Sequence, residues 1–345
     1  MIPIIDWHDK DIVPKMYNAY STCGFAVFTN VYNQWLPEFN DWKQLMQEFF
    51  NLPLETKQKN KYSGVEDNIG YHWMGFERTN PDSPGDLKET YNWVTPDRMT
   101  DQYYPLDIPE FKPLAQKILR IAELLSYDFI YMFEEMFDLP RGKLVEEHLH
   151  GNSTMRMIRY PAYDEEIQPG QIRGSSHTDY GTCTLLWRFD DTPGLQVYDR
   201  KQKDWADVPV VENSIVMNTG DLLQRWTNDT LKSTPHRVVN SDMTKDRISM
   251  PYFVDAGRRT IVKNINYPEP DKYPPINAYE YLKWRLSLSH DTDYIPSAEI
   301  AMQGEQHIPK HQDYENQQKF NRCVINTHEG EKGLRLFDGP TGQYQ

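Results

Sequence analysis

The chain opens on an alternating apolar and polar run, MIPIIDW, that predicts a short strand. Asp11 to about Thr22 follows with helical spacing, and Pro14 falls in the first turn, where its missing N–H is tolerated. GFAVFTN (Gly24 to Asn30) returns to period two, with Phe25, Val27 and Thr29 on one face. Asn33 to Asn51 is helical again, with Leu36, Phe39, Trp42, Leu45, Met46 and Phe49 in one stripe. The stretch 61–109 is rich in Gly, Pro, Asn and Asp and predicts loops, broken by a short strand over Lys88 to Trp93. The clearest periodicity runs from Phe111 to Phe137, where Leu114, Ile118, Ile121, Leu125, Phe129, Met132 and Met136 recur every three or four residues. Leu139-Pro140 ends that helix, and its methionine and aromatic stripe is a packing face.

From Ser153 the texture changes to short apolar runs between turn signals: STMRMIRY, SSHTDYGTCTLLWRF, LQVYD, VPVVENSIVMNT, GDLLQRWTN, STPHRVVN and DRISMPYFVDAG, all read as strands. Strands at this spacing predict a mainly β sandwich or barrel of the jelly-roll kind with flanking helices. After Gly257 the chain is mixed: Asn277 to Ser289 reads as a helix, and the segment from Ala301 onward is a polar tail. No repeat or linker divides the chain, so 1–345 reads as one domain. It comprises a helix and strand region (1–110), a long supporting helix (111–140), a jelly-roll core (150–257) and a C-terminal helix and tail (258–345).

Composition narrows the function. Aromatic residues make up 13% of the 345, which argues against disorder and suits a ligand cavity. A net charge of −14 without a Lys/Arg run argues against nucleic acid as a partner. Cys23, Cys183 and Cys323 are too far apart for a disulfide framework or a thiolate zinc site. Cys183 reads as buried packing. With no apolar stretch of membrane-spanning length and no leader pattern, the reading is a cytoplasmic monomer acting on a small molecule.

The chemistry starts at His177-Thr178-Asp179. On a strand or at its end, residues two apart point to one side, so an imidazole and a carboxylate converge there. Alone, such a pair is readily a chance match in a chain with ten histidines. His236, in the strand-like STPHRVV, can join it across a sandwich to give two histidines and one carboxylate, the facial set of non-haem iron sites. His8, His72, His148, His150, His290, His307, His311 and His328 read as surface or packing residues. In RISMPYF, Arg247 and Ser249 share a face, and Pro251 and Phe253 continue it. An arginine pointing into a barrel needs an anion, and its planar fork matches a carboxylate.

These segments resemble the iron(II)/2-oxoglutarate oxygenases related to isopenicillin N synthase. GSSHTDYGTCTLLW, GLQVYD, NSIVMNTGDLLQRWTN, STPHRV and RISMPYFVD occur in that family's order and approximate spacing, while IPIIDW and GDLKETYNW are similar to its N-terminal region. The resemblance covers about residues 2–256 and implies a double-stranded β-helix core, iron on His177, Asp179 and His236, and the distal carboxylate of 2-oxoglutarate on Arg247 and Ser249. It places Tyr160 near co-substrate or substrate; Arg156 shares its strand parity and is open to a second carboxylate or to a structural ion pair. It also implies O2 as oxidant, succinate and CO2 as products, hydrogen abstraction from the substrate, and ascorbate as an optional reductant. In the family's halogenases a small residue replaces the carboxylate ligand, so Asp179 implies hydroxylation, desaturation or oxidative cyclisation, as in kainoid-type chemistry.

One segment departs from the plant members. IRYPAY is closer to isopenicillin N synthase, which uses O2 without 2-oxoglutarate and binds its substrate's carboxylate on the Arg/Ser pair. That oxidase chemistry stays open here, as does a non-catalytic metal- or ligand-binding jelly roll. Trp73, Tyr91, Tyr180, Phe253 and Asp255 are candidates for the substrate pocket, and nearby arginines suit a small amino acid or an amino-acid-derived polycarboxylate.

Overall fold

The computed structural model describes residues 2–78, 84–149, 151–266, 268–290 and 294–305, with the segments Cys323–Ile325 and Leu334–Leu336. His150, His307, His311 and His328, and most of the tail, lie outside the described residues.

The N-terminal region runs β1 (Ile4–Asp6), α1 (Ile12–Thr22), β2 (Phe25–Thr29), α2 (Leu36–Asn51), α3 (Leu54–Gln58), β3 (Gly70–His72) and β4 (Glu89–Trp93). The long helix α4 (Phe111–Met136) and the short α5 (Lys143–His148) follow. The core then runs β5 (Thr154–Tyr160), β6 (Gly174–His177), β7 (Cys183–Arg188), β8 (Leu195–Asp199), β9 (Asp204–Asp207), β10 (Ile215–Thr219), α6 (Asp221–Trp226), β11 (His236–Val238) and β12 (Arg247–Val254), with α7 (Ala278–Ser287) and α8 (Ala298–Glu305) beyond it. The strands form a larger sheet in the order β1-β2-β10-β7-β12-β5-β4-β3 and a smaller one in the order β6-β11-β8-β9.

The two sheets face each other across a cavity of about 110 Å³. Ile158, Tyr160, Leu186 and Ser249 of the larger sheet and His177, Leu195, His236 and Val238 of the smaller one line it. This is the jelly-roll sandwich, and its period-two side chains divide each strand between cavity and outer layer. The outer face of the larger sheet is closed by α4: Phe129 packs at 5.0 Å from Phe28, and the Trp93 indole donates to the Ala115 carbonyl at 3.1 Å.

Three expectations need correction. GDLLQRWTN is the helix α6 rather than a strand, because Asp221 and the three residues after it turn immediately after Gly220 to pack over the loop that follows His177. SSHTDYGTCTLLWRF is two strands, β6 and β7, rather than one; His177 ends β6 and Asp179 stands just beyond that strand end. The stretch 61–109 contains a second strand, β3, too short to show a period.

Candidate metal and co-substrate site

His177 and His236 are direct cross-strand partners on β6 and β11, with ring centroids 4.3 Å apart. Each imidazole is oriented from behind: His177 Nδ1 donates to the Ser175 carbonyl at 2.8 Å and His236 Nδ1 to the Thr234 carbonyl at 3.2 Å. A carbonyl only accepts, so Nδ1 carries a proton and Nε2 is the nitrogen left to face Asp179. The two Nε2 atoms stand 3.7 and 3.5 Å from Asp179 Oδ1. The other carboxylate oxygen, Oδ2, accepts from Asn218 Nδ2 at 2.8 Å and Thr184 Oγ1 at 2.5 Å. One oxygen is thus tied to β10 and β7 while the other faces the imidazoles, and the three ligating atoms lie within 4.8 Å of one another. Burial, reinforced by His236, pushes the His177 imidazole down to about 4, which keeps it neutral and able to ligate near pH 7. Burial alone raises the Asp179 carboxyl, but the two imidazoles and the Asn218 and Thr184 hydrogen bonds outweigh it and lower its pKa. Two imidazoles and a carboxylate at one corner of a cavity form a facial donor set that fits iron(II). Replacing Asn218 by Ala, or Thr184 by Val, frees Oδ2; metal affinity then falls about 10- to 100-fold by calorimetric titration.

The turn carrying Asp179 is held by the start of α6. Asp221 N donates to the Asp179 carbonyl at 2.9 Å and Gly220 N to the Thr182 carbonyl at 2.9 Å. Gly181 in that turn has no room for a side chain, since a Cβ would lie 2.1 Å from Asp255 Oδ1. The fully buried Asp221 carboxylate accepts from Thr178 Oγ1 at 3.2 Å, Ser233 Oγ at 2.6 Å, Tyr281 OH at 3.0 Å and the Arg285 guanidinium. Helix α7 therefore clamps the turn that carries Asp179. Sequence reasoning missed Asp221, Tyr281 and Arg285; their only signal was an acid after NTG and a predicted helix far downstream. Arg285→Ala leaves a buried carboxylate unpaired and is expected to destabilise the fold by about 3–5 kcal/mol in urea unfolding.

Arg247 starts β12, is 2% exposed and lies over the Tyr160 ring at 4.9 Å. Its Nη1 donates to Ser249 Oγ at 3.3 Å, while its Nε is buried without a partner. No carboxylate lies within ion-pair distance of it among the described residues, and Arg173 and Arg188 are close enough for Arg247 to lower their pKa values. A buried guanidinium with an unpartnered Nε and no carboxylate within ion-pair distance among the described residues fits an incoming carboxylate. Arg247, Ser249, Pro251, Phe253 and Asp255 all line the cavity, as one face of a strand should.

The structure also brings Tyr160, Arg156 and Tyr180 to the cavity wall. Arg156 takes the structural ion pair, to Glu77 at 3.0 Å. Tyr91 and Trp73 are not among the lining residues. Tyr91 sits opposite Met157 and packs outward on Phe49 and Phe111; on β4 it is Asn92 that turns toward Arg156. Trp73 is 38% exposed and packs on Phe76. His148 is a packing residue, bonded to the Leu144 carbonyl and Thr182 Oγ1. Cys183 is buried and forms no disulfide.

Residues 152–256 match the model of the 2OG-Fe(II) oxygenase superfamily, and residues 2–113 match that of the N-terminal region of a non-haem dioxygenase in morphine synthesis. A proline hydroxylase of Petromyces alliaceus, buaE, is 31% identical over 301 residues, spanning 79% of this chain and 92% of its own. The chain belongs to the 2OG-Fe(II) oxygenase superfamily. Also similar is ppzD of Metarhizium rileyi, a 2-oxoglutarate-Fe(II) type oxidoreductase, 30% identical over 71% of this chain and 76% of its own. Among solved structures, a full-length Neurospora crassa protein in complex with 2-oxoglutarate and thymine superposes with a TM-score of 0.74 at 28% identity, covering 83% of this chain and 96% of its own. As a 2OG-Fe(II) oxygenase the protein is an enzyme that uses iron(II) and 2-oxoglutarate, and this favours the co-substrate reading over oxidase chemistry without it. No described helix is long and apolar enough to cross a membrane.

Proposed function

We propose that His177, Asp179 and His236 hold the iron, that Arg247 and Ser249 hold the distal carboxylate of 2-oxoglutarate beside Tyr160, and that the enzyme oxidises a small amino-acid-derived substrate. The observation that carries this is the buried Arg247 fork, without an acidic partner among the described residues, opening into the same cavity as the His-Asp-His cluster. Bound iron and 2-oxoglutarate supply O2 activation, with succinate and CO2 released, and hydrogen abstraction from the substrate. The protein's part is positioning. Asn218 and Thr184 hold Asp179 Oδ2, so Oδ1 is the oxygen that would be offered to iron, and the Ser175 and Thr234 carbonyls orient both imidazoles. Arg247 would anchor the co-substrate's distal carboxylate, and the apolar walls of Ile158, Leu186 and Val238 would exclude water from it.

Asp179 fills the position that a halide would need, so the reaction is hydroxylation, desaturation or oxidative cyclisation. The relative named as a proline hydroxylase supports an amino-acid-derived substrate. Mass spectrometry of aerobic reactions with iron, 2-oxoglutarate and a panel of amino-acid metabolites tests this. Gain of one oxygen means hydroxylation; loss of two hydrogens means desaturation or cyclisation. Substrate-dependent succinate release is expected with either, and O2 uptake without succinate contradicts the reading.

A further inference from the structure

Beyond the metal cluster and Arg247, the cavity presents two ionisable side chains with bonding capacity that the described residues leave unused. Arg156 is 6% exposed, and three of its contacts fix its plane: Nη1 meets both Glu77 oxygens at 3.0 and 3.1 Å, and Nε donates to Asn92 Oδ1 at 2.7 Å. Its Nη2 has no hydrogen-bond partner among the described residues, although it belongs to a side chain that lines the cavity. Lys88 sits between Glu77 and Asp86, 2.8 Å from each, so the cluster of Arg156, Lys88, Glu77 and Asp86 is balanced in charge. What it leaves for an incoming group is the Nη2 edge of the guanidinium. The Arg156 guanidinium lies 5.5 Å from the Phe253 ring.

Two residues past Phe253, on the same face, stands Asp255. It is 4% exposed, neither carboxylate oxygen has a hydrogen-bond partner among the described residues, and no cation there lies within ion-pair distance. Its backbone is fixed, because its N–H donates to Ser153 Oγ at 3.0 Å. A buried carboxyl without a donor is unfavourable, and burial pushes this one up to about 8; Arg98 pulls against that rise and Asp179 adds to it. A third part of the wall is apolar: Leu282 and Leu286 of α7 line the cavity and cluster with Val65.

We infer that the primary substrate is an amino acid bearing an apolar chain, with its carboxylate on Arg156 Nη2, its amine on Asp255 and its chain against Leu282 and Leu286. The inference rests on the oxygenase reading of the site and deepens it. A substrate without polar groups would leave Arg156 Nη2 and the Asp255 carboxyl without partners. A simple acid would satisfy only Arg156, and a simple amine only Asp255.

The test is calorimetric titration of anaerobic protein loaded with iron(II) and 2-oxoglutarate. The probes are L-leucine, L-norleucine and L-phenylalanine, each with its deaminated acid and its decarboxylated amine. At least one amino acid should bind about tenfold more tightly, or better, than both of its single-charge analogues. Asp255→Asn should lower that amino acid's affinity about tenfold or more and leave the deaminated acid's affinity as it was. Arg156→Gln should weaken the amino acid and the acid together while sparing the amine. Titration with 2-oxoglutarate in each variant reports whether fold and centre persist; if Arg156→Gln fails it, the Asp255→Asn comparison decides alone. Equal binding of the analogues, no binding of any amino acid in the set, or an unchanged affinity in Asp255→Asn overturns the inference. Failure of the wild-type protein to bind 2-oxoglutarate would instead overturn the site assignment beneath it.

Discussion

His177→Ala and Asp179→Ala are each expected to lose stoichiometric iron(II) binding and to reduce turnover to the assay background. The reason is geometric. The donor set has three atoms within 4.8 Å, and the described residues offer no other cluster of three such groups to take over. Removing one leaves two donors with no described side chain to replace the third, which weakens iron(II) binding below stoichiometric loading. Asp179 carries a further penalty: its loss strands the Asn218 amide and the Thr184 hydroxyl, both buried, without their acceptor. The fold should persist in His177→Ala, because that ring is tied to its surroundings by one hydrogen bond and one ring contact at the cavity edge. Equilibrium dialysis with iron quantification, beside a circular dichroism melt, separates loss of metal from loss of fold. Full activity in either variant would show that the metal is held elsewhere.

Arg247→Met is the second large effect. Removing one partner of a buried charged pair costs about 2–5 kcal/mol, which is roughly 30- to several-thousand-fold in the 2-oxoglutarate dissociation constant. Here the variant should fold at least as well as the wild type without ligand. It removes a buried guanidinium that has an unsatisfied Nε and two arginines nearby, and replaces it with an apolar chain. Weaker 2-oxoglutarate binding with unchanged or higher thermal stability is therefore the expected pair of results. Loss of stability without a change in binding would make Arg247 a structural residue.

Much of this site was legible because it lies on regular strands. On β12 the period of two places Arg247, Ser249, Pro251 and Phe253 on one face, and all four line the cavity. On β5 the same parity joins Arg156 to Tyr160. Parity also explains the failure at Tyr91. A five-residue strand buried on both faces shows no alternation, so nothing in its sequence marks Asn92 rather than Tyr91 as the inward residue. Trp73 fails for another reason: it sits beyond the end of β3, where strand parity does not apply. The clamp from α7 was invisible because it joins Arg285 to Asp221 across 64 residues, and no local pattern encodes such a pairing. The free valences of Arg156 and Asp255 belong to the same class: they are defined by which partners the fold withholds.

The most direct measurement is an anaerobic crystal structure with manganese(II) in place of iron and 2-oxoglutarate bound. The account predicts an anomalous peak at bonding distance from His177 Nε2, His236 Nε2 and Asp179 Oδ1, with the distal carboxylate of 2-oxoglutarate on the Arg247 fork and Ser249 Oγ. Metal bound away from these three atoms, or a co-substrate whose distal carboxylate lies elsewhere, would contradict it.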